Sequence, residues 1–252
     1  MARYDFRFPR LFVDAPLAEG AAVALERAQA NYLVNVLRLK AGADMLVFNG
    51  RDGEWRAQLA PMGKRSVHLD VTGQTRAQTA PRDLHYLFSP LKHARLDYMV
   101  QKAVEMGVSR LQPVVMRHTQ AERINLVRMR ANAIEAAEQC GVLAIPDIAE
   151  PSKLDAFVRG WKADRLLVFC DEEADVKDPV AALSSARGGG LAGPLPISLL
   201  VGAEGGFAEE ERAALLKLPN VIRLGLGPRI LRADTAAVAA LALVQAVLGD
   251  WR

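Results

Sequence analysis

Cysteine is scarce in this chain, with two residues, Cys140 and Cys170, among 252. Two thiols make no disulfide framework, and none of the four histidines (His68, His85, His93, His118) stands at a spacing with them that suits zinc. The sequence therefore reads as a metal-free, cytosolic protein. Aromatic residues are few as well, at 6%. Long apolar runs are missing. The best candidate, Thr235 to Gly249, is rich in alanine and shorter than the roughly 20 residues a membrane span needs. The start of the chain, Met1 to Arg10, has no apolar signal core. The remaining composition, 51% hydrophobic and 24% charged, belongs to a soluble globular chain with material for one large core or two modest ones. Disordered, collagen-like and coiled-coil classes are excluded on the same figures.

The net charge of +3 conceals a polarity. Residues 1–72 hold 10 Lys/Arg against 8 Asp/Glu, residues 73–140 hold 10 against 6, and residues 141–252 hold 12 against 15. The excess peaks where Arg110, Arg117, Arg123, Arg128 and Arg130 face only Glu122. Such clustering suits a polyanion, because each neutralised phosphate releases counterions; the alternative is a solvated charged face.

Residues 1–72 read as a small β-rich unit. Arg10–Asp14 and Met45–Phe48 are short strands, the second followed by the turn dipeptides Asn49-Gly50 and Asp52-Gly53. Glu54–Leu59 and Ser66–Val71 alternate apolar with polar, and Glu26–Leu39 is helical. Residues 73–81 are polar and form the expected linker. From residue 82 strands alternate with helices. Leu84–Ser89, Leu111–Met116, Leu166–Cys170, Ile197–Val201 and Val221–Gly225 are strands; the runs at 166 and 197 are apolar throughout, as in strands buried on both faces. Helices are expected from Leu96 to the stop at Gly107, over Asn125–Cys140, from a capping box at Ser152–Asp155 to Gly160, over Ala208–Leu218 and over Asp234–Leu248. Ser184–Pro196 is a Gly/Pro-rich loop. This grammar predicts an α/β domain, residues 82–252, with a parallel sheet covered on both sides.

Two glycine-bearing loops follow the last two strands, which are expected to be neighbours. Val201-Gly-Ala-Glu-Gly-Gly-Phe207 is neither the dinucleotide fingerprint nor a Walker loop, and Glu204 suits a neutral or cationic ligand. Leu224-Gly-Leu-Gly-Pro-Arg-Ile-Leu-Arg-Ala-Asp-Thr-Ala236 offers apolar Ile230 and Leu231, then crowds Arg232, Asp234 and Thr235 at a helix start. Asp234 alone is equally well read as a helix N-cap. Ligands of parallel sheets bind at the carboxyl ends of strands, where both loops lie.

These loops resemble the cofactor-binding end of the SPOUT methyltransferases and, within them, the ribosomal RNA small subunit methyltransferase E family. Arg10-Leu-Phe-Val13, Val36-Leu-Arg-Leu-Lys-Ala-Gly42, Gln101-Lys-Ala-Val-Glu-Met-Gly-Val108 and Glu135-Ala-Ala-Glu-Gln-Cys-Gly141 are similar to that family's other blocks, in order along nearly the whole chain. The resemblance implies an N-terminal PUA-like RNA-binding β-barrel and a C-terminal domain ending in a trefoil knot. It further implies S-adenosylmethionine as cofactor and a homodimer with its site at the interface. The activity implied is methylation of uracil N3 in 16S rRNA, in assembled 30S particles. Val201, Gly202, Glu204, Gly205, Gly206, Leu224, Gly225, Ile230, Leu231, Arg232 and Thr235 are then the cofactor-binding residues. Arg232 is the candidate cation for a deprotonated uracil, with Asp234 or Glu204 as base or orienter. Arg10, Arg38, Lys92, Arg95, Arg117 and Arg123 are expected on one RNA-facing surface across both domains. The last helix, apolar nearly all round, is expected to be covered by the sheet on one side and a second subunit on the other. The chain departs from the family pattern at Ala203 (for proline), Asp234 (for glutamate) and Val142 (for arginine).

Overall fold

The computed structural model describes residues 7–61, 67–120, 123–175, 178–186 and 195–251. The beginning of the chain, Ser66, Glu122 and most of the loop expected at 184–196 lie outside the described residues. The chain divides into two units, residues 1–80 with 137–145, and residues 81–136 with 146–252.

In the first unit, β1 (Arg10–Phe12), β2 (Ala22–Ala24), β3 (Asp44–Phe48), β4 (Glu54–Leu59) and β5 (His68–Arg76) form one sheet in the order β1-β3-β4-β5-β2. β1 and β3 are parallel and the other pairs antiparallel. Its core gathers Leu11, Val23, Leu33, Met45, Val47, Leu59 and Leu69. The helix expected over Glu26–Leu39 is broken. α1 (Arg27–Asn31) passes into one π-helical turn, Tyr32–Val36, and Arg38 adopts φ 56. β5 continues past residue 72 to Arg76 because Arg76 pairs with Glu54 on the neighbouring strand.

Arg10, expected to face RNA, is instead inside this unit. Its side chain is 7% exposed and bonds Glu54 at 2.8 Å. It also donates to the carbonyl oxygens of Ala137, Glu138 and Val142, while Arg76 donates to Gly141. Ala137 and Glu138 lie in the last turn of a helix that ends at Cys140, and Gly141 and Val142 just past it, so two guanidiniums cap its negative pole. A buried guanidinium committed in this way is not available to phosphate.

The second unit contains β6 (Leu84–Phe88), α2 (His93–Glu105), β7 (Arg110–Val115), α3 (Leu126–Cys140, its last turn counted with the first unit), β8 (Asp147–Ile148), β9 (Ser152–Lys153) and α4 (Leu154–Arg159). It continues with β10 (Leu166–Cys170), α5 (Pro179–Ser185), β11 (Ile197–Val201), α6 (Glu209–Leu216), β12 (Val221–Leu224) and α7 (Ala233–Val247). The sheet runs β12-β10-β11-β6-β7-β8, with every pair parallel and β9 pairing β7. β10 and β11 are buried at each position, as their unbroken apolar runs require.

Three expectations need correction here. β11 and β12 are not neighbours, since β10 lies between them. Ser152 caps no helix: it pairs with β7, and α4 starts from Lys153 without a side-chain cap. α5 is an additional helix, although Asp178 accepts from the backbone N–H groups of Val180 and Ala181 and Pro179 opens the helix, a readable N-terminal signal. α7 packs against α2, α5 and β11. No helix among the described residues is long and apolar enough to cross a membrane.

Candidate active site

Parallel strands bring their carboxyl ends to one edge, so five loops gather there: Ser89 after β6, 116–119 after β7, 171–173 after β10, 202–207 after β11 and 225–232 after β12. Because β10 separates β11 from β12, the acidic loop Asp171-Glu172-Glu173 sits between the two glycine loops. That third loop is absent from the sequence expectation.

The first glycine loop is shaped by close contacts. A Cβ on Gly202 would enter the ring of Phe207, which is buried and meets Phe169 edge-on at 4.7 Å. Gly206 has φ +74, and a Cβ there would lie 2.5 Å from Glu172 Oε1. Only glycine fits either position. Glu172 also accepts from the backbone N–H of Phe207 at 3.3 Å, joining the third loop to the first. Ala203 is buried. Glu204 is ion-paired to Arg95 of α2, both side chains being about two-fifths exposed or less (35% and 39%). Its carboxylate is thereby matched by a guanidinium from a neighbouring helix.

In the second loop Leu224 and Gly225 are buried, Gly227 has open space before it, and Ile230 is fully exposed at 102%. Leu231 is half-buried. Arg232 is exposed at the N-cap position of α7, with its carbonyl accepting from Ala236 at 2.8 Å. Asp234 lies one residue inside the helix rather than at its cap, and Oδ1 accepts from the Thr235 N–H at 3.0 Å. A carboxylate in the first turn is favoured by the helix dipole.

Beneath these loops Asp171 is fully buried between Arg212 (3.2 Å) and Arg223 (2.9 Å from Nε). Arg212 further pairs with Glu172, Glu173 and Glu209. On the other flank Ser89, buried, faces Thr119 at 2.9 Å between hydroxyls, and His118 stands over Gly205 with Nδ1 3.2 Å from the Gly206 carbonyl. Sequence reasoning singles out neither His118 nor Asp171. The available signal is the polar run Arg117-His118-Thr119 directly after a buried strand.

Among the remaining RNA candidates, Arg38, Lys92, Arg117 and Arg123 are exposed. Arg117 pairs with Glu210, so part of the basic peak is balanced by acids distant in sequence, as Arg110 is by Asp147 and Arg128 by Asp97. A cavity of about 390 Å³ opens at the opposite, amino-terminal ends of the strands, lined by Asp83, His85, Arg110, Trp161, Arg165 and their neighbours. Within it Arg165 bonds Asp83 and the Ile197 carbonyl, and His85 Nε2 faces Asp83 at 3.0 Å. Burial, reinforced by Arg165, pushes the His85 imidazole down to about 4. The cavity thus lies at the opposite end of the strands from the two glycine loops.

Comparison with known proteins places this architecture. A family model described as an RNA methyltransferase domain matches residues 78–245, and one described as an RNA methyltransferase PUA domain matches residues 25–72. The fold and loops thus define an RNA methyltransferase. Ribosomal RNA small subunit methyltransferase E of a Synechocystis species is 30% identical, over 95% of this chain and 78% of its own length. The protein of that name from Rickettsia conorii is 28% identical over 95% and 96%. A Legionella pneumophila methyltransferase solved with the cofactor SAM bound has 27% identity and a TM-score of 0.81, covering 95% of this chain and 98% of that one. Ribosomal RNA small subunit methyltransferase E of Neisseria gonorrhoeae, solved bound to S-adenosyl methionine, has 25% identity and a TM-score of 0.77 over 97% and 100%. The chain belongs to the ribosomal RNA small subunit methyltransferase E family.

Proposed function

We propose that this protein transfers the methyl group of S-adenosylmethionine to N3 of a uridine in 16S rRNA, acting in the cytoplasm on assembled 30S particles. The observation that carries the reading is the convergence of the two glycine loops and the Asp171 loop at the carboxyl edge of the second unit's sheet. The residues there fit the cofactor: glycines that admit no Cβ, exposed apolar Ile230, open backbone at Gly227, and acidic groups compatible with a cationic ligand. Bound S-adenosylmethionine supplies an electrophilic methyl on a sulfonium. The main chain of Val201, Gly202, Gly205, Gly206, Leu224, Gly225 and Ile230, with Leu231 and Thr235 beside them, holds it. Arg232 stabilises the uracil oxygens as N3 loses its proton, and Glu204 fixes Arg95. N3 lies on the pairing edge, so the uridine is presented unpaired or flipped.

The first unit, with Arg38 exposed, binds RNA, together with Lys92, Arg95, Arg117 and Arg123. The trefoil knot belongs to the same reading. Its support is the strand order, in which the chain leaving β11 must pass β10 to lay down β12. So does the homodimer: Val238, Ala239, Ala242 and Leu243 of α7 stay only half-buried, and Ala246 is exposed, an apolar face suited to a second copy. Leu243→Asp is expected to yield an inactive monomer in sedimentation and activity assays.

The test is incubation with methyl-labelled S-adenosylmethionine and either unmethylated 30S particles or free 16S rRNA, followed by nucleoside analysis. N3-methyluridine formed in the 30S arm is expected. A 2′-O-methylated product, or cofactor binding without transfer, would replace this reading with a ribose methyltransferase or an RNA-binding assembly factor.

A further inference from the structure

The reaction above needs a group to remove the N3 proton, and the carboxylates at the loops have partners of their own: Glu204 pairs with Arg95, Glu172 and Glu173 pair with Arg212, and Asp234 Oδ1 accepts from the Thr235 N–H. We propose that His118 is that general base, an inference that rests on the uridine-N3 reading. His118 lies in the loop after β7, exposed to solvent, with its Cβ 3.0 Å and Nδ1 3.8 Å from where a Cβ on Gly205 would stand. Its Nδ1 is 3.2 Å from the Gly206 carbonyl oxygen. A carbonyl oxygen only accepts, so Nδ1 carries the hydrogen, and in the neutral ring Nε2 is left as a bare proton acceptor.

The loop is held from two sides. Thr119 Oγ1 accepts from the Met116 N–H at 2.8 Å and meets buried Ser89 at the end of β6, and the Arg117 N–H donates to Glu211 of α6 at 2.8 Å. The charged groups around His118 are Arg117 with Glu210 and Glu211, Glu204 with Arg95 of α2, and Glu172 against Gly206. His118 Nε2 takes the proton from N3. The N–H electron pair becomes the new N–C bond to the methyl carbon, and the pair of the broken C–S bond stays on sulfur. The imidazolium then returns its proton to solvent.

Two variants separate this role from packing. In His118→Asn the side-chain amide N–H occupies roughly the place of Nδ1–H and keeps the bond to Gly206, while the base is gone; His118→Ala loses both. Single-turnover methylation of 30S particles at saturating cofactor is followed as pH is varied, with cofactor affinity measured by calorimetry. His118→Asn is expected to hold cofactor within about threefold of wild type. It should lose about 100-fold or more in rate and the acid limb of the wild-type profile. Added imidazole should restore part of the His118→Ala rate. An acid limb and saturated rate unchanged in His118→Asn would overturn the proposal. If the wild-type protein forms N3-methyluridine and His118→Asn forms it equally fast, only this inference falls. If the wild type forms none, the functional reading itself falls.

Discussion

Both units bury one carboxylate between two arginines, yet they use the cluster differently. In the first, Glu54 (side chain 5% exposed) bonds Arg10 at 2.8 Å and Arg76 at 2.6 Å, and both arginines spend further donors on backbone carbonyls between residues 137 and 142. The cluster closes on itself. In the second, Asp171 bonds Arg212 and Arg223, but Arg212 reaches on to Glu172, Glu173 and Glu209, which are mostly solvent-exposed. That cluster opens at the end of β10, beside the Gly206 turn. The lesson is that the same ionic motif serves as a clamp where its donors end on main chain, and as a loop support where they end on exposed carboxylates. The first should govern stability, the second the shape of the site.

Substitution separates the two roles most sharply. Glu54→Gln leaves Arg10 buried with a neutral partner, and loss of about 3–5 kcal/mol is expected by denaturant titration, with cofactor affinity unchanged in molecules that remain folded. Asp171→Asn should cost less, about 1.5–3 kcal/mol, because Arg212 keeps three other acids. Its larger consequence should be weakened cofactor binding through the Glu172–Phe207 link. If Asp171→Asn lowers stability alone, the distinction between clamp and support is wrong.

Acid separates the units by pH window. In the first, burial pushes the Glu54 carboxyl up, but the bonds and charges of Arg76 and Arg10 outweigh it and hold it below its ordinary value of 4.5. Its contribution is full above the unfolded value and is lost as pH falls through the lower, folded one. In the second, His85 falls from 6.5 to about 4. Between these values the unfolded chain binds the extra proton, so stability is full above about 6.5 and declines toward 4. Calorimetric unfolding should show the second unit weakening first on acidification, and His85→Gln should flatten that slope.

Much of this is legible in the sequence. β10 and β11 stand out as unbroken apolar runs, and the glycine loops as turns after buried strands. The strand order does not, because nothing local in β12 records that it skips past β10. Arg10 misleads for a related reason. Its type suggests phosphate, while the carboxylate and carbonyls it serves lie from 44 to 132 residues away in the chain. His118 escapes notice because the glycine turn it touches comes 88 residues later. Short elements go unread where packing, not pattern, decides them, as in the π-helical turn Tyr32–Val36.

Smaller effects belong to the surface. Gly205→Leu would bring its Cβ to 3.0 Å from the His118 Cβ, a contact relieved by a few tenths of an ångström, so cofactor affinity should fall while the melting temperature moves by no more than a few degrees, about the shift of 1 kcal/mol. Charge removal at Arg117 or Arg123 should lower the slope of log affinity for RNA against log salt by about 0.7 to 0.9 for each phosphate no longer neutralised. An unchanged slope would make that stretch a solvated face.

The most direct test of the division between the units is hydrogen exchange with and without S-adenosylmethionine. Protection is expected in 116–119, 171–173, 201–207 and 224–232, with residues 7–61 and 67–80 unchanged. Protection confined to the first unit, or none in either glycine loop, would contradict the account.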